Sequence, residues 1–241
     1  MTVHILYDDT VKRSVNWLAA DIGFSQKGYE IRPFAMADFE DVELEPGDIV
    51  VGGVGIVRQG MARLGFEVPS LPGVPEPLLP FAGRMLWQDT IGALRKRVQA
   101  GEAIFAKPPA DQPKRFTGKV LSSVRDLIET AHLPDDARLD CSEPVRFLAE
   151  YRVFIRWGEI LGVRPYNGDP LLFPDPDVIR AALAAYADAP ASYTLDMGVT
   201  DDGRTLLVEV NDSYATGAYG LDPLRYAEFI EARWDELART A

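Results

Sequence analysis

Three oxygen-bearing side chains, Asp196, Glu209 and Asn211, interrupt two stretches that otherwise read as buried strands, SYTLDMGV (192–199) and TLLVEVND (205–212). Strand side chains alternate with a period of two, so Glu209 and Asn211 leave the same face. Asp202-Gly203, between the stretches, is a two-residue hairpin signal, because a type I′ turn needs positive φ at both positions. A turn there sets Asp201 across from Arg204 and Asp196 across from Glu209. Directly opposed side chains have Cβ atoms about 4.5–5.5 Å apart, and like charges so placed destabilise a sheet. Two opposed carboxylates with an amide one step along call for a cation. All three donors are oxygens, which suits Mg²⁺ rather than zinc, and Mg²⁺ needs few protein ligands because it keeps waters and takes phosphate oxygens. The plainer reading is a solvated strand face with both carboxylates outside.

Cationic side chains of matching chemistry occur upstream. Lys107 ends the apolar run AIFAKP, where it either meets a phosphate as a point charge or snorkels at a strand edge. In AEYRVFIRW, alternation places Glu150, Arg152, Phe154 and Arg156 on one face, and Arg164 closes a second apolar run in ILGVRPY. Arginine suits planar recognition of phosphate or carboxylate; a surface salt bridge is the alternative, strongest for Arg156 beside its turn. The stretch KRFTGKV (114–120) has the composition of a loop that folds over phosphates through backbone N–H groups. Cys141, ahead of Ser142-Glu143 in a stretch that reads as a loop, has no histidine partner and reads as packing rather than a nucleophile. Gly53-Val54-Gly55 invites a dinucleotide reading, but the third glycine is replaced by Arg58, which favours a plain strand-to-helix turn.

The elements that position these residues fall into two patterns. Runs at 3–7, 29–34 and 47–53 read as strands, and 17–28 and 56–65 as helices, which predicts a small α/β unit with parallel pairing over residues 1–84. Residues 68–80 hold five prolines in 13 positions, so no regular helix or central strand is expected there. From residue 85 on the pattern is α+β. A helix is expected over 86–101, a strand over 103–108 and a helix over 122–133. Two strands joined at Trp157-Gly158 follow, then a helix over 175–189, the hairpin described above and a final helix over 224–239.

Totals narrow the chemistry. The chain has 241 residues, 47% of them hydrophobic, and a net charge of −12. That field repels nucleic acid phosphates. One cysteine allows no internal disulfide and suits a reducing cytoplasm. No apolar run approaches the ~20 residues of a membrane span, and the N-terminus lacks a signal-peptide pattern. Only His4 and His132 occur, in no metal-ligand spacing, which argues against zinc and against histidine-based catalysis. The totals leave oligomerisation open.

Taken in order, AKP, CSEPV, EYR, VRPY, LDMGV and VEVND resemble the ATP-grasp superfamily, and within it the compact clade distinguished by two arginines and a lysine. The resemblance covers roughly residues 85–235, and EVNDSYATGAYGL is its most specific part. It implies an ATP-grasp fold, two α+β subdomains gripping ATP over 85–241, preceded by a pre-ATP-grasp-like unit over 1–84. Residue by residue, Lys107 resembles the strand lysine at the α-phosphate and adenine. Cys141, Ser142, Glu143, Pro144 and Val145 resemble the hinge that reads adenine, and Glu150 the acid that holds ribose. Asp196, Glu209 and Asn211 resemble the Mg²⁺ ligands, with Mn²⁺ as an alternative ion. Arg152 and Arg164 would be the clade arginines, reaching the γ-phosphate or the acyl substrate. Thr194 stands where many of these ligases carry an arginine. The implied reaction is ATP-dependent ligation of a small-molecule or peptide carboxylate to an amine through an acyl phosphate. A phosphotransferase on the same scaffold and a non-catalytic nucleotide-binding or interaction module remain as alternatives.

Overall fold

The computed structural model describes residues 1–7, 14–67, 73–109, 112 and 116–240. Its first unit is built from β1 (Thr2–Leu6), α1 (Val15–Gln26), β2 (Glu30–Phe34), β3 (Ile49–Val51) and α2 (Val54–Arg63). The strands pair in parallel in the order β2-β1-β3, as the alternation of strands and helices predicts. β1 is buried along its whole length, so it reads as a continuous apolar run. In its described part the proline-rich stretch forms no strand and no helix longer than one turn. The chain there forms a short 3₁₀ turn at Glu76–Leu78 and a one-turn helix, α3 (Leu79–Ala82). Pro77 and Pro80 stand in the first turns of these pieces, where a missing N–H costs nothing.

Next come β4 (Leu86–Thr90), α4 (Ile91–Gln99), β5 (Ile104–Lys107), β6 (Lys119–Leu121) and β7 (Arg138–Ser142). They form an antiparallel sheet in the order β4-β7-β5-β6. The helix expected over 86–101 is therefore in part a strand. Leu86–Thr90 pairs along five residues with β7, and Thr90 caps the true helix by accepting from the Ala93 N–H at 3.3 Å. The helix expected over 122–133 is a 3₁₀ turn, Val124–Thr130, opened by a capping box between Ser123 and Asp126. Cys141 lies inside β7 rather than in a loop.

The last sheet joins β8 (Phe147–Arg156), β9 (Glu159–Gly168), β10 (Ser192–Thr200) and β11 (Thr205–Asp212) in the order β11-β10-β8-β9. α5 (Pro176–Ala185) crosses between β9 and β10, and α6 (Pro223–Thr240) ends the described chain. One face of this sheet is apolar: Val153, Ile155, Tyr193, Leu195, Met197, Leu207 and Val210 pack with Leu78 and α5. The opposite face carries polar groups at alternate positions and meets α6 at one end, where Phe154 stacks edge-on against Phe229, ring centroids 5.3 Å apart. A further hydrophobic core joins the parallel unit to α6, Phe154 and Leu161. At its tightest crossing, a Cβ on Gly23 of α1 would overlap the Pro223 carbonyl and the Ala227 side chain. No helix among the described residues is long and apolar enough to cross a membrane.

Candidate active site

Strand pairing places four charged residues in one row across the last sheet. Arg164 on β9 faces Arg152 on β8, Arg152 faces Asp196 on β10, and Asp196 faces Glu209 on β11. The row reads two cations, then two anions. Its outer pairs oppose like charges, which a sheet selected only for stability would avoid.

The Asp196–Glu209 pairing expected from the sequence is present, but the turn that suggested it is not. Residues 201–203 form a three-residue loop: the Thr200 N–H donates to Arg204 O at 2.9 Å, and Gly203 takes the left-handed φ of +82° such loops need. Thr200, not Asp201, stands across from Arg204. This shifts the pairing by one through Val199–Thr205, Gly198–Leu206 and Met197–Leu207. A bulge then inserts Val208 and restores the expected register at Asp196–Glu209. Two departures from a regular hairpin cancel.

Asn211 joins the carboxylates, its Nδ2 donating to Asp196 Oδ2 at 3.2 Å and to Glu209 Oε1 at 3.1 Å. Arg152 grips Asp196 with a bidentate fork, Nε to Oδ1 at 2.8 Å and Nη2 to Oδ2 at 2.6 Å. Asp196 is only 1% exposed and Arg152 9%. Burial pushes the Asp196 carboxyl up to about 6 against the pull of Arg152, with Glu209 and Glu150 adding to the rise. Burial would raise Glu209 as well, yet Lys107 and Asn211 bring it below its ordinary value. Lys107 reaches Glu209 from the other sheet, Nζ to Oε2 at 2.5 Å. The two sheets therefore face one another across a cleft closed by this ion pair.

Other expected residues fall on the same cleft. Glu150, two residues before Arg152 on β8, accepts from Tyr166 Oη at 2.8 Å and Asn167 Nδ2 at 2.6 Å. Arg164 finds no hydrogen-bond partner for its buried Nε among the described residues. Thr194 Oγ1, elsewhere on β10, is buried without a partner in the same sense. Arg156 is drawn off to Glu228 of α6 at 2.8 Å, so it takes the salt-bridge reading. Ser142 ends β7, and its Oγ donates to Glu143 O at 2.9 Å. Glu143 and Pro144, in the crossing from β7 to β8, are exposed, and Val145 after them is half-buried. Lys114 and Arg115 of the basic loop lie outside the described residues.

Cys141 stands apart from the cleft. Its strand pairs on both sides, with Trp87 and Ala106, and its thiol packs into the core beneath α4. Burial pushes the thiol up to about 12, with Asp89 and Asp140 contributing. Native protein at pH 8 should therefore resist iodoacetamide, and one equivalent should react once denaturant is added. Rapid alkylation of the folded protein would contradict this placement.

Two residues that the motif reading passed over complete the site. Tyr166 and Tyr219 flank the Arg152 guanidinium, with ring centroids 5.5 Å and 4.6 Å from its Cζ. Tyr219 holds a φ of +46°, unusual for a side chain of its size. Both lie in quoted stretches, VRPY and EVNDSYATGAYGL, but nothing in their spacing marks them as partners of Arg152.

Comparison with known proteins follows the same lines. The family model that describes an ATP-grasp domain, family 2 of the clade named for two arginines and a lysine, matches residues 81–229. No curated protein sequence matches the chain. Among solved structures, D-alanine–D-alanine ligase from Bacillus anthracis is similar at a TM-score of 0.58 and 14% identity, covering 100% of this chain and 99% of that one. A D-cycloserine synthetase is similar at 0.59 and 14%, covering 97% and 100%. D-alanyl-alanine synthetase A from Vibrio cholerae is similar at 0.58 and 14%, covering 99% and 98%. At this identity the structural likeness speaks for the fold.

Proposed function

The chain belongs to the ATP-grasp domain family, in family 2 of the two-arginine, one-lysine clade, and has the ATP-grasp fold; from that premise we propose that it is an ATP- and Mg²⁺-dependent ligase joining a carboxylate to an amine. The observation that carries this reading is the charge row Arg164–Arg152–Asp196–Glu209, closed from the facing sheet by Lys107. It sets anions and cations side by side in one cleft, as a metal–polyphosphate needs.

The donor set fits Mg²⁺. Two carboxylates and an amide converge, and a turned Asn211 amide presents oxygen where its nitrogen now stands. Asp196, Glu209 and Asn211 would hold the ion, which supplies charge neutralisation at the phosphates. Lys107 and Arg152 now neutralise these carboxylates, and both are then free to turn to phosphate oxygens. Glu150, which accepts from Tyr166 and Asn167, would hold a ribose hydroxyl. Cys141 and Ser142 both pair on two sides within β7, so the backbone of the crossing after them, Glu143–Val145, would be the part that reads adenine. We take residues 1–84 as a unit of their own ahead of an ATP-grasp domain over 85–241.

A substrate carboxylate oxygen attacks the γ-phosphorus, the bond to the ADP oxygen breaks, and an acyl phosphate forms. An amine then attacks the acyl carbon, phosphate leaves, and the amine loses a proton. Arg164, whose Nε has no partner among the described residues, would donate to the transferring phosphoryl oxygens. Positioning and electrostatics dominate such transfers, so no histidine is required.

The test is ADP formation with ATP and Mg²⁺ over panels of carboxylates and amines. Phosphate release that needs both partners supports the ligase. ADP formed with a single acceptor and no free phosphate would make the protein a phosphotransferase, and no turnover with any pair would overturn the proposal.

A further inference from the structure

Arg84 lies outside the charge row, yet its guanidinium touches the strand that completes it. Nη1 donates to Ala82 O at 2.9 Å and Leu207 O at 2.8 Å, and Nη2 donates to Val208 O at 2.9 Å. All three of these acceptors are main-chain carbonyls. Leu207 and Val208 are the two residues at the bulge in β11.

That bulge decides which way Glu209 points. Leu207 is fully buried and pairs with Met197 in the apolar core. By strict alternation Glu209, two residues on, would follow it into that core. The extra residue, Val208, breaks the alternation and sends Glu209 to the cleft opposite Asp196. A bulge leaves main-chain groups without ladder partners. Here a planar fork takes the carbonyls of both bulge residues at once, which a lysine's single ammonium does poorly.

Local geometry favours this contact. Gly83 ends α3 with a φ of +59°, and a Cβ there would overlap the Leu206 side chain, so glycine lets the segment lie against β11. The next residue but one, Met85, exchanges bonds with the crossing between the two sheets: its N–H donates to Glu143 Oε2 at 2.9 Å, and its carbonyl accepts from the Glu143 N–H at 3.2 Å. β4 of the facing sheet begins immediately after, at Leu86.

We propose that Arg84 is a positioning residue, which holds the Val208 bulge so that Glu209 faces the cleft and ties the start of one sheet to the last strand of the other. The proposal rests on the functional reading above for its binding arm and on geometry alone for its exchange arm.

The experiment compares the wild type, Arg84→Met and Arg84→Lys in two measurements. One is the affinity for a nonhydrolysable ATP analogue with and without Mg²⁺, by calorimetry; the other is amide hydrogen exchange across residues 205–212 and α6. Arg84→Met should cut the Mg²⁺-dependent gain in affinity tenfold or more and leave Mg²⁺-free affinity within twofold. Exchange in β11 should accelerate at least tenfold while α6 keeps wild-type protection. Arg84→Lys should fall between, and it decides both arms if Arg84→Met does not fold. Unchanged exchange and an unchanged Mg²⁺ gain would overturn the proposal, as would an equal loss of affinity with and without the ion. A wild type with no Mg²⁺-dependent binding would instead sink the functional reading, and the exchange arm would still judge Arg84.

Discussion

Asp196→Asn should abolish Mg²⁺-dependent ADP formation, a loss on the order of 10³-fold or more, and should also weaken the fold. The stability effect follows from the Arg152 fork. Asp196 is 1% exposed and receives both its arginine bonds from a guanidinium that is itself buried between two tyrosine rings. A neutral amide leaves that charge uncompensated, and breaking one side of a buried pair costs about 3–5 kcal/mol. For a chain of this size the thermal midpoint should drop by roughly 6–20 °C. Glu209→Gln should separate the two effects. Its ion pair with Lys107 is part-exposed on both sides, so the fold should lose about 1 kcal/mol or less while ADP formation is lost equally. Thermal scans and ADP assays on the two variants decide the matter. Wild-type turnover in either variant would sink the assignment of these carboxylates.

Arg164→Met should show the opposite profile, a large kinetic loss with an intact fold. Its Nε is buried without a partner among the described residues, and it stands directly across from Arg152. Removing it relieves a like-charge cross-strand pair, so stability should hold or rise by about 0.5 kcal/mol. An arginine on a transferring phosphoryl group contributes on the order of 10³-fold in kcat, and that loss is expected here. Arg164→Lys should recover little of it, because a point charge cannot reproduce a planar fork. Single-turnover ADP formation and denaturant unfolding measure both sides. A kcat within twofold of wild type would remove Arg164 from the chemistry, and a stability loss above about 2 kcal/mol would make it a structural residue.

The architecture is legible in the sequence wherever local pattern and tertiary pairing agree. The parallel unit at the N-terminus follows from apolar runs alternating with helices, and the long hairpins follow from period-two alternation. Leu86–Thr90 escapes such a reading because five residues ahead of a good helix carry no strand signal of their own; their pairing with β7 decides it. Thr90, a cap-type residue three ahead of Ala93, is the available cue. The hairpin is the sharper lesson. Asp202-Gly203 suggests a two-residue turn, yet Thr200 bonds across to Arg204 and the loop holds three. The facing of Asp196 and Glu209 survives only because Val208 bulges, and no local propensity announces a bulge in TLLVEVND. Arg84, 123 residues from one of the carbonyls it grips, is invisible for the same reason.

The tight crossing at Gly23 bears on how the chain is made. The core under β1, α1 and α2 is completed by α6, the last helix described. During vectorial synthesis the first unit leaves the ribosome long before its partner exists, with the face of α1 around Gly23 lacking the helix that later covers it. Its consolidation must await translation of the far end, so a stalled or truncated nascent chain exposes an apolar surface that chaperones would recognise.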